Sequence, residues 1–106
     1  MVTPLPGRLK AARLSRGLSQ KSLGLAIGLD PSVASTRMNQ YERAKHQPDF
    51  STIKRLAETL DLPVSWFYAE DDEEARWIQA WHRLDLKGRQ AWLEKLTLVS
   101  APRAAP

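Results

Sequence analysis

The stretch Ser19–Asp49, SQKSLGLAIGLDPSVASTRMNQYERAKHQPD, decides how the rest of the chain is read. Ser19 offers a hydroxyl that can accept a backbone N–H, so a helix is expected from Gln20 to Ile27, with Leu23, Ala26 and Ile27 inward. Gly28 closes it. Leu29 follows as an apolar plug. Asp30-Pro31 is then a strong start signal, with Asp as cap and Pro at the first helical position, where its missing N–H is not needed. A third helix is expected from Pro31 to Arg43, with Val33, Ala34, Met38 and Tyr41 on its inner side.

The same punctuation continues outward in both directions. Ahead of the stretch, Leu9, Ala12, Arg13 and Leu14 stand at helical spacing over Gly7 to Arg16, and Gly17 is a natural left-handed cap. After it, Pro48 ends a loop and Asp49 can cap a helix from Phe50 to Leu60 carrying Phe50, Ile53, Leu56, Ala57 and Leu60. A short turn or helix, Val64 to Tyr68, follows Pro63. Beyond lie Asp71 to Leu84, with Trp77, Ile78, Trp81 and Leu84 in one stripe, and Leu86 to Val99, with Leu93, Leu96 and Val99 plus Trp92, after Asp85 as cap. Strand alternation and Asn-Gly or Asp-Gly hairpin turns are missing. The expected fold is therefore all-α, and the tail SAPRAAP, residues 100–106, is expected to be flexible.

Bulk properties bound the reading. At 106 residues the chain suffices for one domain with a core and not for two independent ones. A hydrophobic fraction of 42% with four Trp fits a folded chain, and 26% charged residues with a mean hydropathy of -0.44 fit a water-soluble one. The absence of Cys excludes disulfides and thiolate metal sites. MVTPLPGRLK lacks an apolar core of signal-peptide length and LGLAIGL is too short to span a bilayer, so a cytoplasmic protein without a membrane role is expected. Charge is uneven: up to Pro48 the eight Lys and Arg outweigh Asp30 and Glu42 by +6, leaving −2 for the rest, with EDDEE at Glu70–Glu74. A basic half points to a polyanionic partner.

Two short helices with a glycine turn between them meet the demands of a helix-turn-helix, and Gly24 and Gly28 supply the room where the helices cross. RLKAARLSRGLSQKSLGLAIGL and MNQYERAKHQPDFSTIKRLAETLDLPVSWFY together resemble the Cro and phage-repressor type of helix-turn-helix domain, the XRE family, over Leu5 to Tyr68. Three blocks carry the resemblance: Gly17-Leu18-Ser19-Gln20, then Tyr41-Glu42-Arg43-x-Lys45-x-x-Pro48, then the Leu-Ala-x-x-Leu-x-Leu pattern from Leu56 to Leu62. Two departures stand out. Ala44 occupies a place where the family has Gly, and the connection from Gly28 to Tyr41 is about four residues longer, read as one extra turn at the front of the third helix.

Residues 69–99, which the resemblance does not reach, read from their apolar spacing as a C-terminal two-helix hairpin, and the resemblance itself implies a five-helix repressor-like domain, residues 5–68. It also implies sequence-specific binding of double-stranded DNA by a prokaryotic or phage transcriptional regulator, a repressor. By position, Ser35, Thr36, Asn39, Gln40 and Arg43 correspond to base-reading residues, all on one helical face. Amides and guanidinium suit that task, since they pair bidentately with adenine and guanine edges. Gln20 corresponds to a phosphate-binding glutamine, and Lys21, Lys45 and His46 are candidates for further phosphate contacts. Arg13 and Glu42 correspond to a partly buried ion pair that ties the first helix to the end of the third.

No enzyme is expected. Only His46 and His82 are present, and neither a phosphate loop nor a His-x-x-x-His or Glu-x-x-His pattern occurs, so no catalytic group, metal or cofactor is assigned. EDDEE reads as a helix start, where carboxylates favour the positive end. Three of the four Trp lie in the last third. Trp77, Ile78, Trp81, Trp92 and Leu96 are expected to form a dimerisation surface, because two heads related by a two-fold axis read a palindromic operator. The alternative is a protein-interaction module, such as an antitoxin, whose Trp-rich helices hold a protein partner.

Overall fold

The computed structural model describes residues 2–100 and 102, all helix and turn among those residues. The expectation of a flexible tail over 100–106 falls mostly outside them. Pro4 and Pro6 preset the entry to α1 (Leu5–Ser15), which buries Leu5, Leu9, Ala12 and Arg13 on one face. It starts two residues before the expected Gly7, and Leu14, expected among its apolar residues, is exposed. Gly17 takes φ 66 and turns the chain. The Ser19 hydroxyl then accepts the Ser22 N–H at 3.0 Å to open α2 (Gln20–Ala26). Leu23 and Ile27 are buried, each contributing roughly 1.5–3 kcal/mol by leaving water. Ala26 faces solvent, contrary to its expected inward place.

The extra residues before the third helix do not extend it. Asp30 Oδ1 accepts the backbone N–H and hydroxyl of Ser32 at 2.8 and 2.5 Å, and the Val33 N–H donates to the Asp30 carbonyl at 3.0 Å. This side-chain bond closes a separate turn over Pro31–Val33, since Asp bonds its neighbours as readily as it caps a helix. The helix α3 runs Ala34–Glu42, with Val33 at φ -122 as its flanking residue. Val33, expected inside, is 43% exposed, while Ala34, Met38 and Tyr41 are buried.

Asp49 caps α4 (Phe50–Leu60) by accepting the Thr52 N–H at 2.8 Å. Ile53, Leu56, Ala57 and Leu60 enter the core, but Phe50 stays 64% exposed, outside the face it was expected to share. A 3-10 segment (Val64–Tyr68) buries Trp66 and Phe67 edge to face at 5.2 Å. These five elements enclose one core centred on Leu9, Leu23, Met38, Leu56, Leu60 and Phe67.

Two helices follow. The Asp71 carboxylate accepts the Glu73 N–H at 2.7 Å to cap α5 (Asp72–Arg83), whose acidic first turn and Arg83 in the last turn both favour the helix dipole. Ala75 is buried and Ile78 packs on the core, while Trp77 and Trp81 are exposed. The Asp85 cap starts α6 (Leu86–Val99), which buries none of its residues.

Candidate nucleic-acid interface

The placement of α3 begins with a close approach. A Cβ on Gly24 would stand 2.7 Å from the Ala34 carbonyl oxygen and 2.9 Å from its Cβ, so only glycine lets α2 touch the first residue of α3. Gly28, at φ 89, then turns the chain between the helices. From α4, the Arg55 guanidinium donates to the Ile27 carbonyl at 3.1 Å and braces the end of α2.

A single carboxylate ties the three helices together. Glu42, with its side chain 2% exposed, accepts from Arg13 Nε at 2.6 Å and from Arg13 Nη2 at 3.0 Å. The Gln20 amide donates to the same carboxylate at 3.3 Å, and Arg13 Nη1 donates to the Leu18 carbonyl at 2.8 Å. Hydrogen bonding to Glu42 raises the Arg13 pKa above its ordinary value, with the opposite charge adding to it against the effect of burial. The two-point geometry fixes the end of α3 against α1 as well as pairing the charges.

With Ala34, Met38, Tyr41 and the Glu42 carboxylate turned inward, a polar set of positions on α3 faces out. Ser35 and Thr36 are exposed on its first turn, Asn39 and Gln40 are half-exposed, and Arg43 is exposed at its end. These five share the polar side of one helix. Ala44 follows at φ 58, and the Lys45 and His46 N–H groups both return to the Gln40 carbonyl, at 2.8 and 3.2 Å. That turn leaves Lys45 and His46 exposed beside α3, with the His46 ring edge-on to Tyr41 at 6.2 Å. Lys21 is exposed on α2, and Gln20 is half-exposed at its start. The basic group and the polar face thus lie around the helix pair, while Trp77, Ile78, Trp81, Trp92 and Leu96 lie apart on α5 and α6.

Three arginines that sequence reading passed over hold this arrangement. Arg55 braces α2 as described. Arg8 donates twice to the Ala69 carbonyl, at 3.0 and 2.9 Å, reaches Asp72 at 3.1 Å and lies 5.5 Å over the Trp66 ring, joining α1 to the start of α5. Arg16 donates to the Leu60 carbonyl at 3.0 Å. On their own helices these read as ordinary solvated cations, and nothing in the local sequence marks their distant carbonyl partners.

The family model described as Helix-turn-helix matches residues 9–67. The crystal structure of the transcriptional regulator BswR is similar over 90% of this chain and 94% of that one, at 39% identity and a TM-score of 0.83. A search of the curated proteins finds no match.

Proposed function

The chain belongs to the XRE-type helix-turn-helix family, and from that premise we propose that it is a transcriptional regulator that binds duplex DNA, a repressor acting by occupying its operator. The observation that carries this reading is the division of α3: Ala34, Met38 and Tyr41 are buried, and Ser35, Thr36, Asn39 and Gln40 form an outward polar face held in place through Glu42. In the major groove, Asn39 and Gln40 pair with base edges, Arg43 reaches guanine, and Ser35 and Thr36 keep the first turn short enough to enter. Gln20, Lys21, Lys45 and His46 hold the flanking phosphates without reading sequence. The Gln20 amide keeps one N–H for a phosphate while the other meets Glu42.

One such head reads few base pairs. A palindromic operator with half-sites about 34 Å apart calls for a homodimer. The exposed aromatic residues of α5 and α6 favour a protein partner on that side, and the partner that fits an operator is a second copy. The reading places the protein in the cytoplasm with the genome, and no helix among the described residues is long and apolar enough to cross a membrane.

Selection from a random duplex library identifies the operator. On it, Gln40→Ala loses about 1–3 kcal/mol of binding free energy and relaxes one position. Lys45→Ala weakens all duplexes alike and lowers the slope of log affinity against log salt by about one unit. Equal losses by Gln40→Ala on operator and random DNA overturn the assignment of the α3 face.

A further inference from the structure

The helix α5 is attached to the reading head by little apolar contact and by directed bonds at both of its ends. Ala75 is buried and Ile78 packs against the core, while Trp77 and Trp81 stay exposed. Apolar contact of that extent keeps a helix on a surface without choosing its angle, because the hydrophobic effect has no direction. Hydrogen bonds do have one, and they weaken steeply when misaligned.

At the front end the lock is Arg8, whose side chain is 15% exposed. Its Nε and Nη2 both donate to the Ala69 carbonyl, in the segment that leads from the 3-10 turn into α5, and Nη2 also meets Asp72 at 3.1 Å. The Trp66 ring lies beneath the guanidinium and steadies it. At the far end the lock is His82, whose Nε2 stands 3.0 Å from Asp61 Oδ1. Asp61 is itself held: it ends α4 at φ 53, and Arg16 from α1 bonds the neighbouring Leu60 carbonyl at 3.0 Å. Asp72 and His82 lie about 15 Å apart along the helix axis, so α5 is fixed at two separated points rather than hinged on one. Arg89 carries the constraint into α6. Its guanidinium lies 3.9 Å over the Trp81 ring and donates to the Trp81 and His82 carbonyls, in the last turn of α5 where carbonyls lack donors from the next turn.

We infer that Arg8 and His82 are positioning residues that determine the half-site spacing this protein accepts. They do so by holding the two reading heads of a dimer at one separation and one relative rotation. This deepens the operator reading above and rests on it, including the place of the second copy on α5 and α6. Neither residue belongs to α2 or α3, and neither is among the groups assigned to bases or phosphates. One base pair added between the half-sites moves one of them by about 3.4 Å and turns it by about 35° around the duplex axis. Locked heads meet the shifted site only if the duplex is twisted or bent, which costs free energy. Heads that pivot on Ala75 and Ile78 absorb the shift.

Titration of the full chain against the selected operator, and against versions with one or two base pairs inserted or removed at its centre, tests the role. Wild type binds one spacing and loses on the order of tenfold in affinity for the first base pair of shift. Arg8→Met deletes the donors but keeps an apolar stem on Trp66. His82→Ala removes the far lock at a side chain that is 28% exposed. Each variant lowers the loss to about threefold or less. A variant that is only less stable loses the same factor on every operator, and that outcome overturns the role, as does a wild-type dimer that binds all spacings alike. Wild type bound as a monomer to a single half-site overturns the operator reading and this inference together.

Discussion

Ala44 carries a cost at a single residue. It follows α3 at φ 58, a left-handed conformation in which a Cβ crowds the backbone, and it does so to send the Lys45 and His46 N–H groups back to the Gln40 carbonyl. The turn keeps its shape although the residue that adopts it most easily is missing. Ala44→Gly should therefore stabilise the fold by about 0.5–1 kcal/mol, read as a higher urea midpoint with unchanged slope. A midpoint that stays level or drops would mean that the turn stores no strain. The residue pattern exposed Ala44 as a departure, but not its backbone angle, which the chain adopts two residues after Glu42 is held by Arg13 and Gln20.

Elements meet through small residues, and the pair Gly24–Ala34 shows how narrow the tolerance is. With 2.7 Å between a Cβ on Gly24 and the Ala34 carbonyl, Gly24→Ala gains helix propensity in α2 but forces α2 and α3 apart. Overpacking of this kind costs about 1–3 kcal/mol, and the displaced α3 should lose operator affinity along with stability. Urea unfolding beside duplex titration checks this, and a stabilised variant with full affinity would contradict the close contact. Element positions were largely legible in the sequence. Ser19, Asp49 and Asp85 each accept the N–H that their place before an apolar run implied, because a cap acts over three residues, whereas Asp71, read as the first residue of its helix, caps it instead. The start of α3 was not legible. Asp30-Pro31 satisfies both a helix cap and a side-chain turn, and the docking of Ala34 against Gly24 coincides with the second.

Across the whole molecule, exposed carboxylates held by hydrogen bonds make the fold sensitive to acid. Hydrogen bonds from the Ser32 hydroxyl and N–H hold Asp30 below the usual carboxylate range. The Thr52 N–H and hydroxyl and the Ser51 hydroxyl do so for Asp49, and a hydrogen bond from His82, with Arg16 and Arg83 nearby, does so for Asp61. A depressed folded pKa contributes stability that is present above the unfolded value, about 3.9, and is lost as pH falls through the lower folded value. The urea midpoint should thus decline as pH drops below about 4. Asp49→Asn should flatten that decline, and a variant with the same acid slope as wild type would remove Asp49 from the account.

The sequence by itself determined that the chain is helical, where most helices begin and end, and which side of α3 turns outward, because caps and helical periodicity act between residues a few positions apart. Only the tertiary structure decided that Asp30 closes a turn of its own, that Arg8, Arg16 and Arg55 bond carbonyls 61, 44 and 28 residues away, and that α6 stands uncovered. The reason is physical. A guanidinium on a helix surface, or a Trp in an apolar stripe, takes its role from whatever surface chain folding brings opposite it, and that surface is not encoded in its neighbours.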